Sequence, residues 1–177
     1  DDNFATIIKS VLNGRNVYAN IKNAIKFLLS GNAAGIFAVL YASLVALPAP
    51  FTAVQLLFIN LITDSLPALA ISMEPSNPAL IHEKPRLRNE SVLNAPTLKE
   101  ICATGILIAV STITAFLIGL HHEDLLSVPA VPGVLSLDIT TGSTMAFATL
   151  CLARLWHGFN CRGKDGILKL GITTNLY

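Results

Sequence analysis

Ala53-Val-Gln-Leu-Leu-Phe-Ile-Asn-Leu-Ile-Thr-Asp-Ser-Leu-Pro-Ala-Leu-Ala-Ile-Ser-Met73 is a mostly apolar run, and the few polar residues near its middle decide how the chain is read. A hydrocarbon core of about 30 Å needs about 20 helical residues, so the stretch is long enough to cross a bilayer. Asp64 lies at its centre, with Asn60 and Thr63 before it and Pro67 after it. A carboxylate at that depth costs at least about 2.5–3.5 kcal/mol on insertion scales, and by default it marks an ion or proton pathway.

The rest of the chain agrees with a membrane setting. Only 13% of the residues are charged, where a soluble domain carries about 25%. Four apolar runs stand out, Ala24–Leu47, Phe51–Met73, Leu98–Leu120 and Ile139–Trp156, apolar nearly all round instead of striped at the 3.6-residue period of a soluble bundle. Lys9, Arg15, Lys22 and Lys26 precede or enter the first run. Lys84, Arg86, Arg88 and Lys99 lie about the connector between the second and third, and Arg162, Lys164 and Lys169 follow the fourth. The connectors after the first and third runs have no Lys or Arg, so both ends of the chain are expected on the cytoplasmic side. The expected fold is therefore an all-α membrane protein, with about four transmembrane helices in an up-down bundle and a cytoplasmic stalk helix.

Within that frame, residues 1–23 read as an entry segment and helix, 24–158 as the membrane domain, with an inner loop at 74–97 and an outer loop at 121–138, and 159–177 as a cytoplasmic connector. Phe4, Ile7, Ile8, Val11 and Leu12 recur at helical spacing among Lys9, Asn13 and Arg15. That pattern suits a rod continuing into the first span or an amphipathic helix lying on anionic lipid. Gly14 tells against a long unbroken rod, since it costs roughly 1 kcal/mol relative to Ala. Leu47-Pro48-Ala49-Pro50 forces the first two spans into a hairpin, which puts whatever Asp64 binds against the first span. The inner loop, with Pro75, Pro78, Pro85 and Pro96, reads as ordered but non-helical. Cys102, Cys151 and Cys161 show no metal-ligand spacing and are expected as reduced thiols. His121-His122-Glu123-Asp124 reads as exposed loop, and His157 with Cys161 makes only two ligands.

Asn60, Thr63 and Asp64 are spaced i, i+3 and i+4, which stacks side chains on one helix face. Pro67 has no N–H, so the carbonyl of Thr63 is expected to lose its helical partner and face the same cavity. Broken helices are a recurrent ion-site device in transporters. A carboxylate, an amide, a hydroxyl and a carbonyl are hard oxygen donors, suited to Ca²⁺, Mg²⁺, Mn²⁺ or an alkali ion. An alternative makes Asn60 and Asp64 interhelical hydrogen-bonding residues with an incidental kink. In the first span Asn32 offers another oxygen, or interhelical glue beside the small residues Gly31 and Gly35. Arg154 is expected to snorkel toward the inner headgroups, because Trp156 marks an interface close by; pairing with Asp64 is the other option.

Asp1-Asp2-Asn3-Phe4, Gly14-Arg15, Tyr18 and Ile21-Lys22 resemble the end of the phosphorylation domain and the stalk of P-type cation-transporting ATPases. Val54-Gln55-Leu56-Leu57-Phe58-Ile59-Asn60-Leu61-Ile62-Thr63-Asp64-Ser65-Leu66-Pro67 resembles the sixth membrane helix of the calcium-pump branch, the sarco/endoplasmic reticulum type and its bacterial relatives. Thr144-Met145-Ala146-Phe147 and the run to Asn160 are similar to the eighth helix. The resemblance implies an enzyme, an ATP hydrolase and ion translocase that exports Ca²⁺ from the cytosol against H⁺. By matching positions it makes Asn60 and Asp64 ligands of the calcium site common to the branch, with Thr63 and Asn32 at a second site. Where two-site pumps carry glutamates in the fifth and eighth helices, this chain has Gly35 and Arg154. A single-site pump is therefore expected.

The same resemblance implies partners. D-K-T-G-T, the actuator T-G-E and the fourth-helix glutamate do not occur in the sequence. The chain is thus expected to be a C-terminal piece, with no catalytic residue and no ATPase activity alone. It would work with the actuator, nucleotide-binding and phosphorylation domains, where Mg²⁺ and ATP bind, with the remaining membrane helices, and with the lipid bilayer; nucleic acid is not expected. Multi-pass insertion in a bacterial plasma membrane fits the compact outer loops, an organellar membrane being the alternative. A pump for manganese or another cation, or a secondary transporter or channel subunit with the same broken helix, are the rival functions.

Overall fold

The computed structural model describes residues 4–75, 78–82, 91–121 and 139–163. Every regular element among them is helical. Helix α1 spans Phe4–Leu44 without interruption, so Gly14 does not break it. At about 1.5 Å per residue this rod is roughly 60 Å long, twice a bilayer core. Leu47 N–H bonds to the Ala42 carbonyl at 2.8 Å, and Ala46 has φ 55°. The helix therefore ends in a left-handed cap that glycine usually occupies.

The next span is built in three pieces: α2 (Ala53–Phe58), a π-helical turn (Ile59–Thr63) and α3 (Ser65–Ser72). Thr52 and Gln55 form a reciprocal capping box at the start of α2, satisfying two N–H groups that have no helical partner. The inner connector is not wholly irregular, as the sequence had suggested, because Pro78–His82 forms a 3₁₀ turn. Arg15 on α1 donates to the carbonyls of Leu80 and Ile81 at 2.8 and 3.2 Å and holds that turn against the rod. Helix α4 (Ala95–Leu120) starts at an Asn94 cap with Pro96 in its first turn, and α5 covers Ile139–Asn160.

Contacts at the helix ends give the topology. Lys26 pairs with Glu100, and Gly105 lies against Ala33 and the Ser30 carbonyl, so α1 and α4 run parallel. Asn20 reaches the carbonyls of Ser72 and Glu74, so α2 and α3 return antiparallel to α1. Gly119 meets Gly142, which sets α5 antiparallel to α4. These are the four helices and the up-down order expected from the sequence. Among the described residues three stretches, Thr6–Leu44, Ala53–Ser72 and Ala95–Leu120, are long and apolar enough to cross a membrane. The fourth helix, α5, carries Arg154 and His157 among its buried residues, which dilutes its apolar character.

Small residues and rings make the core: Ala34, Ala38, Ala109 and Ala146 with Phe51, Phe116, Leu120 and Leu150. Leu57, Leu61, Leu107 and Val110 instead face outward. In lipid the apolar tails solvate such side chains, and helices associate by close van der Waals approach at small residues. Gly105, Gly119 and Gly142 are among the glycines that bring helices together, since an added Cβ on each would stand about 3 Å from a neighbour. Gly35, expected at a packing face, has open space before it.

Of the expected outer loop at 121–138, residues 122–138 lie outside the described residues, as do Lys84, Pro85, Arg86, Arg88, Lys164 and Lys169. Asp1, Asp2 and Asn3 lie outside them too.

Candidate functional site

The span carrying Asp64 widens where the sequence predicts a break. Pro67, third residue of α3, cannot donate backward along the helix. The extra residue is absorbed just before it, where Asp64 N–H bonds to the Ile59 carbonyl at 2.9 Å across five residues. The Ser65 hydroxyl satisfies the Asn60 carbonyl at 3.2 Å. Single π turns of this kind are frequent at functional sites.

The wider turn changes which side chains share a face. Asn60 and Asp64 line one cleft of about 700 Å³, together with Asn32 and Gly35 of α1 and Arg154 of α5. Thr63, expected beside them, is buried on another side, and its hydroxyl lies 3.8 Å from Cys151 Sγ. The i, i+3, i+4 stacking assumed an α-helix. With five-residue closure Thr63 rotates onto α5 while Asn60 and Asp64 stay on the cleft.

Arg154 corrects a second expectation. It does not snorkel: its side chain is 3% exposed, while its neighbour Trp156 is 70% exposed. Arg154 Nη1 donates to Asp64 Oδ1 at 2.7 Å, and Nη2 donates to Asn32 Oδ1 at 3.2 Å. The reason is electrostatic. An ionised carboxylate in an apolar interior is costly unless paired, and the guanidinium fork engages two oxygens at once. Gly31 makes the approach feasible, since a Cβ there would lie 2.9 Å from Arg154 Nε.

The remaining oxygens define what the cleft can hold. Asp64 Oδ2 and the Asn60 side chain take part in no hydrogen bond among the described residues. A hard cation would find a carboxylate oxygen and amide oxygens there. Asp64 and Arg154 cancel each other's charge, so a divalent ion must displace the guanidinium from the carboxylate or bring in acidic ligands from elsewhere. The described residues contain no cluster of three His, Cys, Asp or Glu side chains.

Sequence reasoning marked Gly31 as a small packing residue without seeing that it admits Arg154, and it missed the bond between Ser30 and His157. The Ser30 hydroxyl lies 2.7 Å from His157 Nε2, one helical turn along α5 from Arg154. The three cysteines are free thiols. Burial pushes the Cys161 thiol, beyond the end of α5, up to about 11.

The chain matches the description "Cation transporting ATPase, C-terminus" over residues 48–177. It is 38% identical to a calcium-transporting ATPase of Bacillus subtilis, over the whole of this chain and 18% of that protein. It is 40% identical to calcium-transporting ATPase 1 of Lactococcus lactis, over the whole chain and 19% of that protein. A probable calcium-transporting ATPase of Trypanosoma brucei is 32% identical over 87% of the chain and 15% of that protein. The chain thus spans less than a fifth of the length of these relatives. On the match from residue 48 to residue 177, the chain belongs to the cation transporting ATPase C-terminus family.

Proposed function

We propose that this chain forms part of the membrane transport domain of an ATP-driven P-type pump that exports Ca²⁺ from the cytosol through one site. Asn60 and Asp64 supply side-chain ligands to that ion, and Asn32 and Arg154 stand where a second ion would otherwise bind. One observation carries this reading: the Arg154 guanidinium is bonded to Asp64 and Asn32 together. A tethered positive charge bridging those oxygens neutralises the cleft and leaves Asn60 and the second Asp64 oxygen for one cation. Calcium is favoured over manganese by the names of the relatives, each a calcium-transporting ATPase. ATP hydrolysis, with its Mg²⁺, belongs to cytoplasmic domains of the whole protein, and a helix carrying a further acidic ligand completes the site.

The test uses the full-length pump in lipid. One Ca²⁺ occluded per phosphoenzyme is the expected stoichiometry, and Asp64→Asn should abolish Ca²⁺-dependent phosphorylation by ATP while leaving the membrane domain folded. Two occluded ions would overturn the single-site claim. Unchanged Ca²⁺ activation in Asp64→Asn would remove the ligand role.

A further inference from the structure

One helical turn along α5 from Arg154, His157 is buried against α1. Its Nε2 lies 2.7 Å from Ser30 Oγ and 3.2 Å from Cys161 Sγ, and its ring stacks on Phe27 with centroids 6.3 Å apart. Ser30 has a single hydroxyl proton. Its Oγ stands 2.7 Å from the Lys26 carbonyl and 3.0 Å from the Phe27 carbonyl, and carbonyls only accept. That proton is committed to the backbone of α1. The bond between the helices therefore runs from the ring, with His157 Nε2–H donating to Ser30 Oγ.

This bond joins α1 to α5 one residue before Gly31, the position on which the Arg154 guanidinium rests. A Cβ at Gly31 would stand 2.9 Å from Arg154 Nε and 3.0 Å from Cζ. Arg154 Nε itself has no hydrogen-bond partner among the described residues, so no polar contact fixes that edge of the guanidinium. Asp64 and Asn32 hold its far edge, and the distance between α1 and α5 sets its near edge. Were α5 to stand further away, the fork would fall short of Asp64.

We propose that Ser30 and His157 are positioning residues for the Arg154–Asp64 pair. Their bond fixes the spacing of α1 and α5 at Gly31 and so delivers the guanidinium to Asp64. Because the tethered guanidinium competes with a cation for that carboxylate, the bond tunes the ion affinity of the site. The proposal rests on the reading of Asp64 as a cation ligand.

The experiment measures half-saturating Ca²⁺ for phosphorylation by ATP in the full-length pump. Ser30→Ala removes the acceptor; His157→Phe keeps the ring on Phe27 and removes the donor; His157→Gln restores an N–H. Ser30→Ala and His157→Phe should each lower half-saturating Ca²⁺ by about fivefold, the weight of one net hydrogen bond, with the maximal phosphoenzyme level unchanged. His157→Gln should return it toward the parent value. Gly31→Ala, which improves helix propensity while pushing on the guanidinium, should shift it in the same direction.

In an Arg154→Gln background the effects of Ser30→Ala and His157→Phe should vanish. Equal shifts in that background, or no shift from either variant alone, would overturn the proposal. If Asp64→Asn leaves Ca²⁺ activation intact, the calcium reading has failed. The positioning claim is then read from the structure of Ser30→Ala: a guanidinium withdrawn from Asp64 supports it, and one still seated at the parent distance refutes it.

Discussion

At the scale of single residues the Asp64–Arg154 pair governs the cleft. Removing one member of such a buried pair costs about 3–5 kcal/mol, because the other charge is left uncompensated. The pair is weak evidence for stability as such, since apolar residues of similar volume often serve as well; its weight is in fixing which charges meet an incoming ion. Cys161 shows the same desolvation acting on a thiol. Burial, with Glu100 adding to it and Lys26 opposing, moves its pKa up to about 11 from an ordinary 9.0. The thiolate is the reactive form, so at pH 8 a pKa two units higher means about a hundredfold less of it. In a pump with Cys161 as its sole cysteine, alkylation by iodoacetamide should be about that much slower than for a free thiol. Its rate should keep rising with pH to about 11 instead of levelling near 9; a plateau at 9 would show the site to be open to water.

At the scale of elements the π turn at Ile59–Thr63 is the device that matters. It keeps Asn60 and Asp64 on the cleft and sends Thr63 to Cys151. Pro67 enforces it by withholding a donor. Pro67→Ala should let the span close into a regular α-helix. The outcome expected is an unchanged or higher melting temperature, since proline in a helix interior costs about 3 kcal/mol, with Ca²⁺ affinity for phosphorylation at least about tenfold weaker because the face bearing Asn60 turns relative to α1 and α5. A variant that keeps its affinity would show that the turn is incidental to binding. The position of this break was legible in the sequence from Pro67. Its form was not, because an α-helix and a π turn differ in one hydrogen bond, and the pattern of apolar residues does not resolve that.

At the scale of the molecule α1 ties the cleft to a polar junction at Glu74 and Arg162. Asn16, Asn20 and Asn23, on successive turns of α1, donate to the carbonyls of Glu74 and Arg162. Glu74 and Arg162 close a bidentate pair at 3.0 and 2.8 Å, with side chains 10% and 7% exposed. This junction gathers α1, the end of α3 and the end of α5, so the rod is bonded to both segments that bear the Asp64–Arg154 pair. Glu74→Gln and Arg162→Met should each destabilise the protein by about 3–5 kcal/mol, and the double variant by clearly less than their sum. Thermal unfolding of the four proteins measures it, and additive losses would show that the two side chains act independently.

The sequence by itself determined the helical class, the number and order of the helices and the place of the critical carboxylate. Each follows from local chemistry: long apolar runs, basic residues confined to alternate connectors, and an Asp beside a Pro in the middle of one run. Only the tertiary structure decided where Arg154 points, which of Asn60, Thr63 and Asp64 share the cleft, and that Ser30, Gly31 and His157 form a seat for the guanidinium. Those outcomes depend on the approach of α5 to α1 across more than a hundred residues of chain. The strength of a charge pair or a hydrogen bond there is set by distances of a few tenths of an ångström and by the exclusion of water, and neither is written in the order of residues along one helix.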